Sequence, residues 1–132
     1  MSEWRWLEKD VILAIHDEQL AEHGGKPGIR DMGLLESALA RPLNRAAHAE
    51  VTVFDLAAAY AFGIVRNHPF VDGNKRVAFL AAALVLIEHD VEITASDDAA
   101  VTAMLSLANG SLDEEGFALW LLSNTAPGSE TR

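Results

Sequence analysis

The segment His68-Pro69-Phe70-Val71-Asp72-Gly73-Asn74-Lys75-Arg76 gathers an imidazole, a carboxylate, a glycine, an amide and two cations within nine residues. His68 is the only group there that titrates near neutrality, which makes it the natural general base. Asp72 is the only hard oxygen anion and suits Mg²⁺ shared with phosphate oxygens. Gly73 lets the backbone approach an anion closely, as phosphate-binding nests require. Lys75 brings a point charge and Arg76 a planar fork, both matched to phosphate. A helix is expected from about Asn74, and its N-terminus would offer unpaired N–H groups and a partial positive charge. Cations in a first turn oppose the helix dipole unless an anion is bound, so Lys75 and Arg76 themselves hint at one. Asp72 and Asn74 also have the chemistry of helix caps, and Asn74 suits both roles. Phe70 and Pro69 read as structural, the ring anchoring the loop and the proline setting its entry. The composite is a phosphate-and-magnesium site with a base beside it, the equipment of phosphoryl or nucleotidyl transfer.

The flanking pattern is helical throughout. A first helix is expected from about Glu8 to His23, stopped by Gly24-Gly25, and Lys26-Pro27-Gly28 continues the break as a turn. Asp31 can cap a second helix, Met32 to Ala40, which Pro42 is expected to end. Leu43 to Thr52 has no clear period and reads as a loop or short flap. Thr52 can cap a third helix with Phe54, Ala57, Ala58, Ala61, Ile64 and Val65 on one face. It should end near Asn67, because Pro69 pushes His68 out of the right-handed helical region. The fourth helix carries eleven consecutive apolar residues, Val77 to Ile87, and should be central to its bundle. Val91 to Thr94 then crosses the surface. Asp97 or Asp98 opens a fifth helix ending at Asn109-Gly110, and Ser111 caps a sixth with Phe117, Trp120 and Leu121 inward. The expected fold is all-α, a six-helix bundle around a central apolar helix. One domain is expected over residues 1–124, with a flexible tail over 125–132.

Composition narrows the function classes. Half of the 132 residues are hydrophobic, enough for a core, and 22 are alanine, which favours helix. Twenty acids against ten bases give a net charge of −10, which excludes a general electrostatic grip on nucleic acid or anionic lipid while leaving room for a local basic pocket. With no cysteine there is no disulfide framework, thiolate nucleophile or cysteine-ligated zinc. The N-terminus lacks the basic start and apolar stretch of a signal peptide, and the longest apolar run is far short of the roughly 18 residues of a membrane span. The expectation is a soluble, cytoplasmic protein.

Residues 68–76 resemble the signature of the Fic/Doc family, His-Pro-Phe-x-Asp/Glu-Gly-Asn-Gly/Lys-Arg, at all eight defined positions. The Gly24-Gly25-x-Pro27-Gly28 turn, the Ala-rich third helix and the apolar fourth helix extend the likeness toward the compact death-on-curing (Doc) toxins. The resemblance implies the small six-helix Fic/Doc core, ATP and Mg²⁺ as cofactors, and the family's catalytic histidine, acid and Asn-Lys-Arg at His68, Asp72, Asn74, Lys75 and Arg76. Family members that transfer AMP usually have glycine where this chain has Lys75, and a second arginine where it has Phe79. Both departures favour the Doc-type alternative, a kinase that moves the ATP γ-phosphate to a protein hydroxyl. Arg66, two residues before the base, is a candidate accessory for phosphate or target. The resemblance further implies elongation factor Tu as substrate, translation arrest as outcome and a Phd-like antitoxin as partner. The competing readings are AMP transfer and a non-catalytic helical binding module.

Other polar clusters read blandly. Ser111 to Gly116 fits the Ser/Thr-x-x-x-Glu-Gly pattern of self-inhibiting family members through Glu115, but that glutamate's arginine partner is Phe79 here. The stretch reads instead as a helix start, with Glu114 placed for a capping box. Glu88-His89-Asp90 reads as a polar helix end, since adjacent helical residues do not face each other. His16, His23 and His48 read as surface groups, and Trp4, Trp6 and Trp120 as core or docking residues.

Overall fold

A computed structural model describes residues 4–128. Six helices follow in chain order: α1 (Lys9–His23), α2 (Met32–His48), α3 (Val53–Asn67), α4 (Asn74–Glu88), α5 (Asp97–Asn109) and α6 (Glu114–Ser123). Two short strands, β1 (Val91–Ile93) and β2 (Thr125–Pro127), complete the architecture. The all-α, six-helix expectation holds. The centre is shared by α3 and α4, and α3 is the more completely enclosed: every residue from Leu56 to Ala61 is 0–1% exposed. α4 buries Val77, Ala78, Ala81, Ala82, Val85 and Leu86 against it but leaves Phe79 and Leu80 half-buried. Alanine on the inner faces lets the two axes approach closely, and no β-branched run interrupts either helix.

Several helix starts follow local chemistry. The Asp31 carboxylate accepts from Leu34 N, and Thr52 forms a reciprocal capping box with Asp55. Ser96, rather than an aspartate, caps α5. α6 is capped by Asp113, whose carboxylate accepts from Gly116 N, and not by Ser111, whose hydroxyl turns back to Asn109 and Ser106.

Two expectations are corrected. Pro42 does not end α2; it lies buried inside a helix that runs on to His48. Proline leaves the carbonyl four residues earlier, that of Ala38, without its helical donor. At Ala38 α2 packs tightly on α3: a Cβ at Gly63 would lie 3.1 Å from both Ala38 Cα and Ala38 O. On either side of the proline, Arg41 and Arg45 both reach Glu114 of α6, at 2.8 Å from Arg41 Nε and 2.7 Å from Arg45 Nη1. Packing and ion pairing thus carry the helix across a residue that local propensity would use as a stop.

The chain also does not fray at Thr125. β2 pairs antiparallel with β1 in the register Val91↔Pro127, Glu92↔Ala126, Ile93↔Thr125, and Gly128 N donates to Asp90 O at 2.7 Å. The ribbon is made of backbone hydrogen bonds, which side-chain composition does not announce. Residues 129–132 of the expected tail lie outside the described residues. At the other end, Leu7 N donates to the buried Tyr60 hydroxyl at 2.9 Å. Trp4 packs on His89, Trp120 stacks on Phe117, and Trp6 is exposed. No helix among the described residues is long and apolar enough to cross a membrane.

Candidate active site

α3 ends at Asn67, as the following proline requires, and His68 adopts the left-handed conformation at φ 52, ψ 56. A left-handed non-glycine residue is held there by its surroundings. Here the holder is Arg30, whose Nε donates to His68 O and Nη2 to Asn67 O, each at 2.7 Å. Residues 28–31 run antiparallel beside the loop: Val71 N donates to Gly28 O, and Arg30 N and Asp31 N both donate to Pro69 O. Arg30 therefore ties down the α3 terminus and the His68 backbone together. The His68 side chain itself is exposed and makes no hydrogen bond or ion pair among the described residues.

The middle of the loop is fixed from inside. Phe70 is fully buried, and the buried Asn74 amide clamps its backbone from both sides: Phe70 N donates to Asn74 Oδ1 at 3.0 Å, and Asn74 Nδ2 donates to Phe70 O at 2.9 Å. Asn74 thus orders the loop from within. The ring of His16, from α1, stacks on Phe70 with centroids 3.9 Å apart, and its Nε2 lies 2.9 Å from Asp72 O. His16 is 3% exposed, which corrects the expectation of a surface group; His23 and His48 are exposed as expected. The i, i+4 spacing from the fully buried Ile12 was the available signal, since it puts His16 on the inner face of α1.

Asp72 points outward on this fixed base. Its Oδ2 accepts from Lys26 N at 3.2 Å and its Oδ1 from Gly73 N at 2.9 Å. These two bonds, the Lys26 one foremost, hold the carboxyl below the ordinary aspartate range, and the charges of Arg76 and Lys26 act in the same direction. Gly25 makes the arrangement possible: it sits at φ 124, and a Cβ there would be 3.0 Å from Asp72 Oδ2. Gly73, at φ 82, is the N-cap residue of α4, and no side chain caps that helix. Neither Asp72 nor Asn74 is its cap. Because Gly73 N is taken by Asp72, the open donors at this terminus are the first-turn N–H groups of α4, beside the exposed Lys75 and Arg76.

A cleft of about 570 Å³ opens here between α1, α4 and α5. Asp72 to Arg76 form one end, and Phe79, Leu80, Val101, Met104 and Leu105 form an apolar wall. Arg66 is exposed on α3 and lies over the Phe62 ring at 5.5 Å, with Arg41 over the same ring at 4.7 Å. It does not line the cleft. Glu115 is exposed, and the glutamate of that segment with arginine partners is Glu114, paired with Arg41 and Arg45 of α2.

The profile of the Fic/DOC family matches residues 6–86. The chain belongs to the Fic/DOC family. It is 34% identical over 97 residues to "Protein kinase doc" of Escherichia phage P1, covering 73% of this chain and 77% of that protein. It is 42% identical over 77 residues to "Toxin Doc" of Mycolicibacterium smegmatis, covering 57% of this chain and 59% of that one. Within the Fic/DOC family, then, it is homologous to Doc-type toxins of toxin-antitoxin systems, a context that implies a Phd-like antitoxin. Fic/DOC enzymes generally use ATP and Mg²⁺. The residues present suit that pair taken together: the Asp72 carboxylate, held by backbone donors, stands beside the first-turn N–H groups of α4 and the exposed Lys75 and Arg76. Such a set of groups has the chemistry to suit Mg²⁺ that arrives with phosphates.

Proposed function

We propose that the chain is a Doc-type toxin that phosphorylates a serine or threonine hydroxyl of a translation factor, with elongation factor Tu the expected target, and so arrests translation. The observation that carries this reading is the wall of the cleft next to the phosphate end, where Lys75 is a lysine and Phe79 is apolar. AMP-transferring members of the family use a glycine and a second arginine at these positions. A lysine crowds the cradle for the AMP-transfer orientation, and phenylalanine removes a cation that reaction uses.

In the reaction, His68 accepts the hydroxyl proton as the oxygen attacks the γ-phosphorus of ATP. The bond from that phosphorus to the β–γ bridging oxygen breaks, and ADP leaves. Bound Mg²⁺ would neutralise phosphate charge. Asp72 would hold the ion, Lys75 and Arg76 with the first-turn N–H groups of α4 stabilise the transferring group, and Gly73 with Asn74 keeps the loop in shape for it. Such a transfer needs mainly positioning and charge stabilisation. Arg30 supports the base by holding its backbone, and Arg66, exposed and outside the cleft lining, is an accessory candidate for phosphate or target. The apolar wall of α4 and α5, with Val101 and Leu105 half-exposed or more, suits the apolar stripe of an amphipathic antitoxin helix. A chain of net charge −10 favours basic residues on such a helix.

The test is incubation with Mg²⁺, a translation extract and ATP labelled at either the α or the γ phosphate. Protein labelling from γ alone is expected. Labelling from α would replace the reading with AMP transfer, and no labelling with retained toxicity would point to a binding module.

A further inference from the structure

His16 is the one buried histidine among the described residues, and the proposed reaction gives it no task. Its Nε2 is 2.9 Å from Asp72 O. A carbonyl oxygen only accepts, so Nε2 carries the hydrogen and donates. The peptide whose oxygen it holds is the one joining Asp72 to Gly73, and the N–H on the other side of that same plane donates to Asp72 Oδ1 at 2.9 Å. One rigid peptide unit therefore links the buried imidazole to the exposed carboxylate. The unit is prone to rotate, because it is followed by a left-handed glycine that tolerates both signs of φ. The ring that prevents rotation is itself immobilised by the stack on Phe70 at 3.9 Å, and a Cβ on Gly73 would lie 3.7 Å from its Cδ2.

From this geometry we infer that His16 is a positioning residue that locks the Asp72–Gly73 peptide plane and so aims the Asp72 carboxylate into the cleft. The inference rests on the phosphoryl-transfer reading, in which Asp72 carries Mg²⁺. It divides the site into two parts that respond separately. The Lys75, Arg76 and α4 N-terminal contacts to phosphate do not depend on the lock, whereas the Mg²⁺ contact does.

The experiment is calorimetric binding of ADP with and without Mg²⁺, together with amide hydrogen exchange at Gly73. The variants are His16→Phe, which keeps the stack and loses the donor, and His16→Gln, which restores a donor near Nε2. In His16→Phe the enhancement of ADP binding by Mg²⁺ should fall about tenfold and Gly73 exchange should rise by a similar factor, as expected for loss of one buried hydrogen bond. ADP binding without Mg²⁺ should stay as in the parent, and His16→Gln should recover most of both effects. If His16→Phe does not fold, His16→Asn, too short to reach Asp72 O, replaces it against the glutamine variant. An unchanged Mg²⁺ enhancement or unchanged Gly73 exchange overturns the inference, as does an equal loss of Mg²⁺-free ADP binding, which would mark His16 as a packing residue only. If the parent chain shows no Mg²⁺ enhancement of ADP binding, the phosphoryl-transfer reading fails and takes this inference with it; if the parent shows it and His16→Phe matches it, the inference fails alone.

Discussion

The loop over residues 68–76 and the junction between α2 and α6 are each built on two cations and one carboxylate: Lys75, Arg76 and Asp72 in the loop, Arg41, Arg45 and Glu114 at the junction. At the junction the charges are used up against one another. Both Glu114 oxygens accept from guanidinium groups, and the Glu114 side chain is only 11% exposed. In the loop the carboxylate is satisfied by backbone N–H groups of Lys26 and Gly73, and neither Lys75 nor Arg76 is ion-paired to it at contact distance among the described residues. Backbone donors leave the side-chain cations open, and that leaves a site for an anion. Equal composition thus gives a structural clamp in one place and, in the proposed reading, a phosphate site in the other, and the difference lies in what satisfies the acid.

The comparison is tested hardest at His68. His68→Asn retains a residue type that accepts the left-handed backbone, so the fold should hold. Phosphoryl transfer should fall by about 10²–10⁴-fold, the usual contribution of a general base, with the unfolding midpoint little changed. A variant that loses both activity and stability together would mean that the loop is a clamp like the junction.

Glu114→Gln tests the opposite side. It leaves Arg41 and Arg45 without their counter-charge. Breaking a fully buried pair costs roughly 3–5 kcal/mol. Arg41 and Arg45 are 45% and 37% exposed and can turn to water, so about 2 kcal/mol in urea unfolding is expected instead. Activity per folded molecule should stay near the parent value. The rim of the α2 extension beyond Pro42 should show the fastest hydrogen exchange in this variant, since that segment depends on the Arg45 bond.

What the sequence revealed of these two regions differs for the same reason. The loop's chemistry is local: six of its polar or flexible groups sit within nine residues, and their types alone indicate phosphate, metal and base. The supports are not local. His16 meets Asp72 across 56 residues and Arg30 meets His68 across 38, so neither spacing carries a readable motif. The junction misled in both directions. At Pro42 packing at Ala38 and Gly63 overrides the local rule, and Glu114, expected in a capping box behind Ser111, is instead the first residue after the Asp113 cap, with an oxygen held by Arg41, 73 residues earlier. Thr125 to Pro127 carry the composition of a tail and pair through backbone atoms that composition does not describe. Helix number and type were legible because the apolar period of each segment agrees with the fold, whereas ends and partners were decided by tertiary contacts.

The smallest effect is also the most discriminating. Lys75 stands exposed in the first turn of α4, where the helix dipole is positive and Arg76 is its neighbour. Without an anion, this placement is unfavourable, so Lys75→Gln should stabilise the free chain by about 0.3–1 kcal/mol at low ionic strength. Added salt should shrink the gain by screening it. The same variant should lose phosphoryl transfer and ADP affinity, since the removed charge is one the phosphates would meet. At the junction no such trade exists: neutralising Arg41 or Arg45 removes a partner from Glu114 and should only destabilise. A Lys75 variant that is both less stable and less active would show that its charge is already balanced within the fold. A variant that gains stability while losing the nucleotide is what a site held open for an anion requires.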